Sequence, residues 1–205
     1  LLTSDIAGVT VQSADSPLGA WTVARWSPPA SSPLSAVVEQ IWYFEGTLTQ
    51  PKERVFPNGR AELIVMLDEP HRDGDSATLD PFPAVCINGL RTRPSVVVSP
   101  PGRCRVLGIS FEPAGAGALL GASMKDLVDV TIDLRDSIAA AAAELGERCA
   151  GAAEASIWNP ARNATAVLRA AARWVQQHAG SEAVDPAVAW TLARIRAAGG
   201  IVSLD

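Results

Sequence analysis

Lysine and histidine are almost missing from this chain: lysine occurs only at Lys52 and Lys125, and histidine only at His71 and His178. Those histidines form no chelating pair, and Cys86, Cys104 and Cys149 form no close pair either. Metals that use imidazole, thiolate or carboxylate need such groups close together. No metal site and no cofactor is expected. Three widely spaced cysteines, an odd number, argue for buried thiols in a reduced compartment rather than a disulfide framework. No long apolar run is present, so no segment is expected to span a membrane. The start, Leu1-Leu2-Thr3-Ser4-Asp5, lacks the basic and apolar regions of a secretory signal, and the absent initiator Met points to an N-terminus that is trimmed or renumbered. A cytoplasmic location is the expectation. A basic surplus is also missing: formal net charge is −5, whereas nucleic-acid binding by the chain alone needs a basic patch or stripe. There is no G-x-S-x-G elbow, no phosphate-cradling glycine loop with lysine and no evident Cys/His pair, and nothing marks Glu112 and Asp68 as an acid/base pair. The chain is not expected to be an enzyme.

What is present is ordinary for a folded protein. The 205 residues are 48% hydrophobic and 19% charged, enough for one domain or two small ones with a real core. The dominance of arginine among the bases, with the alanine richness, reads as a GC-rich genome. The first part reads as β structure. Strands are expected at Ala20–Trp26, Val37–Gly46, Leu63–Leu67, Ala84–Ile87, Val96–Val98 and Arg105–Phe111, separated by Pro/Gly turns. Leu63–Leu67 is apolar at every position, the mark of a strand covered on both faces. The polar tract His71–Asp80 reads as a mobile loop.

The second part reads as helical. A helix opens at Pro113 and closes at Gly121, and Ser123 begins a capping-box pattern. Asp136 is placed as the cap of a helix through Cys149, with Ile138, Ala142, Leu145 and Cys149 on one face. Asn159-Pro160 starts a longer helix that ends at Gly180 and carries a stripe of Ala164, Val167, Leu168, Ala171, Trp174, Val175 and His178. Asp185-Pro186 starts another, followed by Gly199-Gly200 and a fresh helix start at Ser203 with nothing after it. The chain therefore reads as cut at the entry to a further domain.

Three motifs in order carry a family resemblance: Pro57-Asn58-Gly59-Arg60-Ala61-Glu62-Leu63-Ile64-Val65, Asn88-Gly89-Leu90-Arg91-Thr92-Arg93-Pro94, and Phe111-Glu112-Pro113 through Gly121. The series resembles the N-terminal sensor domain of AraC-type transcriptional regulators. The Val188–Leu204 stretch resembles the first helix of their DNA-binding domain. The resemblance implies an α+β chain: a cupin-like β-barrel or sandwich sensor over 1–112, a helical linker that dimerises over 113–183, and the start of the DNA-binding domain over 184–205. It implies a homodimer, a small-molecule effector of unknown identity, and DNA contact only through helix-turn-helix units that this chain does not contain.

Each candidate residue has two readings. The Pro57–Arg60 corner supplies a tight turn through Asn58-Gly59; alternatively Arg54, Arg60 and Glu62 line a pocket mouth, where arginine clamps a carboxylate or phosphate. Trp42 and Phe44 share one face of their strand and Tyr43 the other; they are core, or the first two line an effector cavity. Arg91 heads a basic turn near Arg103 and Arg105, either a solvated loop or a seat for an anion. The apolar stripe offers Val167, Leu168, Ala171, Trp174 and Val175 to the chain's own β domain or to the same helix of a second copy. A stand-alone binding module without DNA output is the alternative function. A cupin-type enzyme that has lost recognisable metal ligands is a third.

Overall fold

Strands with apolar side chains on both faces need cover on both faces, and the computed structural model supplies it. The structure describes residues 6–113, 115–121, 123–155, 160–179 and 186–198. Among these, the strands in chain order are β1 (Thr10–Ser16), β2 (Gly19–Trp26), β3 (Val38–Leu48), β4 (Lys52–Val55), β5 (Glu62–Met66), β6 (Arg72–Asp73), β7 (Val85–Asn88), β8 (Ser95–Val98), β9 (Arg103–Phe111) and β10 (Thr131–Asp133). The helices are α1 (Gly115–Leu120), α2 (Arg135–Glu154), α3 (Pro160–His178) and α4 (Pro186–Ala197). Seven strands form one antiparallel sheet in the order β1-β2-β3-β9-β5-β7-β10, and β4-β8-β6 form a second. No ladder joins the two sheets among the described residues. The class is α+β, mostly antiparallel, with two sheets rather than one hydrogen-bonded barrel.

One face of the large sheet carries the helices. Ala24 and Trp26, Ile41 and Tyr43, Leu63 and Val65, and Leu107, Ile109 and Phe111 form a continuous core with α2 and α3. The helices contribute Ala142, Leu145 and Cys149 from α2 and Ala164, Val167, Leu168, Ala171, Trp174 and Val175 from α3, all 0% exposed. This corrects the assignment of Val167, Leu168, Ala171, Trp174 and Val175 to a dimer seam: within a single chain that face is filled by β2, β3 and α2. The physical reason is that the sheet's outward row already offers matching apolar area. Trp174 is anchored there, its indole Nε1 donating to the Ala141 carbonyl at 2.8 Å and its ring stacking on His178 at 4.7 Å.

Six strands fall where the sequence pattern expects them. β1 and β4 were not expected because they have no buried face; every residue of β4 is exposed. The tract expected to be a loop contributes β6 and a turn knitted by side chains. Asp80 accepts from Ser76 and Thr78 at 2.7 and 2.8 Å, and Asp75 accepts from the Val96 amide at 2.9 Å. Those hydroxyl donors, Ser76 first, hold the Asp80 carboxyl below its ordinary range. Two caps are also corrected. Met124–Leu127 is a single 3-10 turn and Ser123 makes no capping bond. Asp136 does not cap α2: the Arg135 amide donates to Asp133 instead, at 2.9 Å, and Ile138 breaks the helix with φ −136 and ψ 52. The cap at Asn159, the stop at Gly180, the cap at Asp185 and the signals at Gly199-Gly200 and Ser203 lie outside the described residues. No described helix is long and apolar enough to cross a membrane, and no three His, Cys, Asp or Glu cluster as metal ligands among the described residues.

Two outcomes test this core. Trp174→Ala lowers stability by about 3–5 kcal/mol, the range for deleting a buried large aromatic, read by urea denaturation; a neutral substitution would contradict the packing of α3. The buried, unpaired thiols give a pH signature. Burial pushes both Cys86 and Cys149 from 9.0 up to about 12, with Asp133 adding to the shift at Cys86. Their contribution to stability is whole below the unfolded thiol value of 9.0 and is lost as pH climbs toward 12. Cys86→Ala and Cys149→Ala should each flatten the alkaline fall in unfolding free energy between those values.

Candidate functional site

The opposite face of the large sheet floors a cavity of about 820 Å³, roofed by the small sheet. Register orders this floor into rungs. Gln40, Ser110, Glu62, Asn88 and Thr131 stand opposite one another across β3, β9, β5, β7 and β10. The neighbouring rung is Arg25, Trp42, Gly108, Ile64 and Cys86, and the next is Val23, Phe44, Val106 and Met66. The cavity is thus polar at one end and apolar across its middle. From the roof come Glu53, Val55, Ser95 and Val97, with Phe56 and Phe82 at the rim.

Glycine makes the apolar floor possible. A Cβ on Gly108 would stand 2.0, 2.2 and 2.4 Å from three atoms of the Trp42 indole. Being nearly equidistant from three ring atoms, that point lies over the ring, so the indole rests flat across β9. Its other face looks into the cavity that Trp42 lines.

The polar end is built from bonds between strands. Ser110 Oγ donates to Glu62 Oε1 at 2.7 Å. Thr131 Oγ1 donates to Asn88 Oδ1 at 2.8 Å, and Arg91 Nη2 donates to Thr131 Oγ1 at 2.7 Å. Arg60 pairs with Glu39. Glu39 reaches the cavity beside Gln40 because a bulge between Val38 and Gln40 puts two residues opposite one on β9. At the far end lies His71, whose imidazole is held below its ordinary pKa by burial.

Of the six residues proposed for ligand contact, Trp42, Phe44, Arg60, Glu62 and Arg91 line this one cavity. Arg54 does not. Glu53 and Val55 pair with Val97 and Ser95 and face inward, so alternation turns Arg54, opposite Val96, to the outside. The Pro57–Arg60 corner is a tight turn, with Gly59 at φ 72 and Asn58 Oδ1 accepting from the Arg60 amide at 3.0 Å, and Arg60 and Glu62, though not Arg54, line the cavity. The basic patch disperses. Arg103 bonds Glu45 and Arg105 bonds Asp68, both at 2.7 Å, leaving Arg91 facing the cavity. Sequence reasoning missed Glu39, Gln40, Asn88 and Ser110. Only a register prediction placing them in one rung with Glu62 could have found them.

The family described as "Domain of unknown function (DUF6597)" matches residues 27–133. The chain belongs to this family. The matched span runs from the end of β2 through β10 and so contains most of the cavity wall. No curated protein matches the sequence. Among solved structures, the chain is similar to Streptomyces albus HEPD with substrate 2-hydroxyethylphosphonate and Fe(II) bound, at 10% identity and a TM-score of 0.30. That alignment covers 91% of this chain but only 46% of HEPD, so the chain spans less than half of it. A likeness at that level carries no argument.

The floor is testable by a double-mutant cycle. Gly108→Ala alone should cost about 1–3 kcal/mol by overpacking against the indole. In a Trp42→Ala background the same change should cost little, and the two effects should be strongly non-additive. Additive effects in urea melts would mean the indole does not lie on Gly108.

Proposed function

We propose that this chain is the effector-sensing part of an AraC-type transcriptional regulator, in which the cavity takes a small molecule and the helices pass on its presence. DUF6597 is known from AraC-type regulators, which supports the reading. The observation that carries it is that the cavity and the helices lie on opposite faces of the same strands. Along β3, Trp42 and Phe44 face the cavity while Ile41 and Tyr43 pack in the core shared with α2 and α3. A ligand that presses on the first pair shifts the seat of the second. For this to act as a switch, the ligand must bind two arrangements of sheet and helices with different affinity. The net charge of −5 fits a chain that leaves DNA contact to another part of its protein. Dimerisation, which the resemblance implies, would use a surface other than the buried face of α3. The location is proposed as cytoplasmic, where such a regulator works.

A stand-alone binding module is the second reading, in which the same cavity takes a small molecule with no DNA output. The two readings part on the coding sequence past codon 205. A frame that runs on into two helix-turn-helix units with a basic surplus is the expected result, and a frame that ends without them leaves the stand-alone module. Sensing itself is read by hydrogen exchange. A compound that raises the melting temperature should slow amide exchange in β3 and alter it in α2 and α3; protection confined to the cavity strands would remove the transmission step.

A further inference from the structure

At the polar end of the cavity Arg91 makes no direct ion pair among the described residues. Of the other arginines lining the cavity, Arg60 is paired with Glu39, whereas Arg25, in the neighbouring rung, donates from Nη1 to the neutral Gln12 Oε1 at 3.0 Å on the sheet's outer strand. Arg91 is half-buried, and its Nη2 bonds only to neutral oxygens, Thr131 Oγ1 at 2.7 Å and Asn88 Oδ1 at 3.4 Å. Among the described residues no carboxylate stands at ion-pair distance from it, and its Nε and Nη1 make no hydrogen bond. Thr131 and Asn88 hold the guanidinium in place, so its charge is fixed in direction before any ligand arrives. A guanidinium so placed favours an oxyanion over any neutral group.

The apolar floor sets the rest of the ligand. The indole of Trp42, flat on Gly108, offers a ring-sized platform. Strands lie about 4.8 Å apart, so the platform on β9 and Asn88 on β7, two strands away, are separated by about 10 Å across the sheet. That is the reach of a bicyclic aromatic acid. Glu62, directly opposite Asn88 on β5, accepts from Ser110 Oγ at 2.7 Å; its negative charge offsets part of the attraction of Arg91 for an anion and limits the site to a ligand with a single anionic group.

Resting on the sensing reading above, we propose that the cavity's ligand is a small monocarboxylate with a planar aromatic body, its carboxylate on Arg91 and its ring on Trp42. The test is calorimetric titration of the purified chain with three probes of one shape: indole-3-acetate, the neutral indole-3-ethanol and the cationic tryptamine. Indole-3-acetate should bind at least about tenfold more tightly than the alcohol, the scale of a charge-assisted hydrogen bond, and the amine should bind most weakly. Arg91→Gln should erase the preference for the acid, and Arg91→Lys should restore part of it, with each variant's fold checked by its melting curve. Trp42→Ala should weaken all three probes together. If the alcohol or the amine binds as well as the acid, or the preference survives in a folded Arg91→Gln protein, the anionic class is wrong and the cavity remains a binding site for something else. Failure of indole-3-acetate to bind folded protein at millimolar concentration also overturns the class. The sensing reading then stands or falls separately, on whether compounds of other chemistry stabilise the chain.

Discussion

Side chains on β3, β9 and β5 alternate between two enclosed spaces, and the rest of the molecule is arranged around that alternation. On one side Ile41, Tyr43, Leu63, Val65, Leu107 and Ile109 meet the helices; on the other Trp42, Phe44, Ile64, Met66 and Val106 meet the cavity. A strand has a side-chain period of two, so a slip of one residue would exchange the two sets. Tyr43 would then enter the cavity and Trp42 would be driven into the helices. Apolar burial on both faces therefore fixes register far more tightly than in a sheet with one solvated face. The same rigidity makes the rungs dependable. Glu62, Ser110 and Asn88 stand in line because their neighbours along the strands cannot move.

The strongest charged contact sits on the helix side of that sheet. Arg105, 7% exposed, bonds Asp68 through Nε and Nη2 and lies 3.6 Å from Glu154, the last residue of α2. Asp68 follows Met66 of the cavity floor by two residues. An exposed pair such as Arg135–Asp133 contributes at most about 1 kcal/mol after screening and side-chain entropy. Removing one partner of a buried pair costs about 3–5 kcal/mol, because the other is left unpaired. Of the contacts that join the edge of the cavity to the end of a helix, Arg105 is thus the one whose rearrangement would be felt. On the sensing reading it adds a polar link to the apolar route through β3.

The class of the fold and most of its strands were legible because their residues bury a face. Leu63–Leu67 announced itself as an apolar run, Arg105–Phe111 as a strand after a Pro/Gly turn, and the alternation of Trp42, Tyr43 and Phe44 could be read directly. β1 and β4 were not legible because they bury nothing, and β10 because three residues hold no period. The site was half legible. Trp42, Phe44, Arg60, Glu62 and Arg91 stood out by chemistry. Arg54 was misplaced because its strand had not been recognised, so no parity could be assigned to it. Glu39 and Gln40 were invisible for another reason: a bulge turns adjacent residues to one face, which the period-two rule forbids. The stripe on α3 was read correctly as apolar. What covers it depends on the matching row of β2 and β3, and a pattern on one element cannot report the area offered by another.

Protein interiors are close-packed, and side chains normally interdigitate without large voids. At Gly108 the floor gives up a side chain of its own to the ring of Trp42. β9 is buried at eight of its nine residues, and on its cavity face Gly108 stands between Val106 and Ser110, covered by the indole of Trp42. Glycine in a strand costs conformational entropy and packs nothing of its own. A valine or leucine at 108 would fill the floor and tip the indole of Trp42 off the sheet. The arrangement trades local strand stability for a flat aromatic surface beside a row of fixed polar groups. Core packing alone gives no reason to make that trade. On the sensing reading, a surface kept level for the ring of a ligand does, and that reading places the ligand's apolar part on Trp42 whatever polar group it carries.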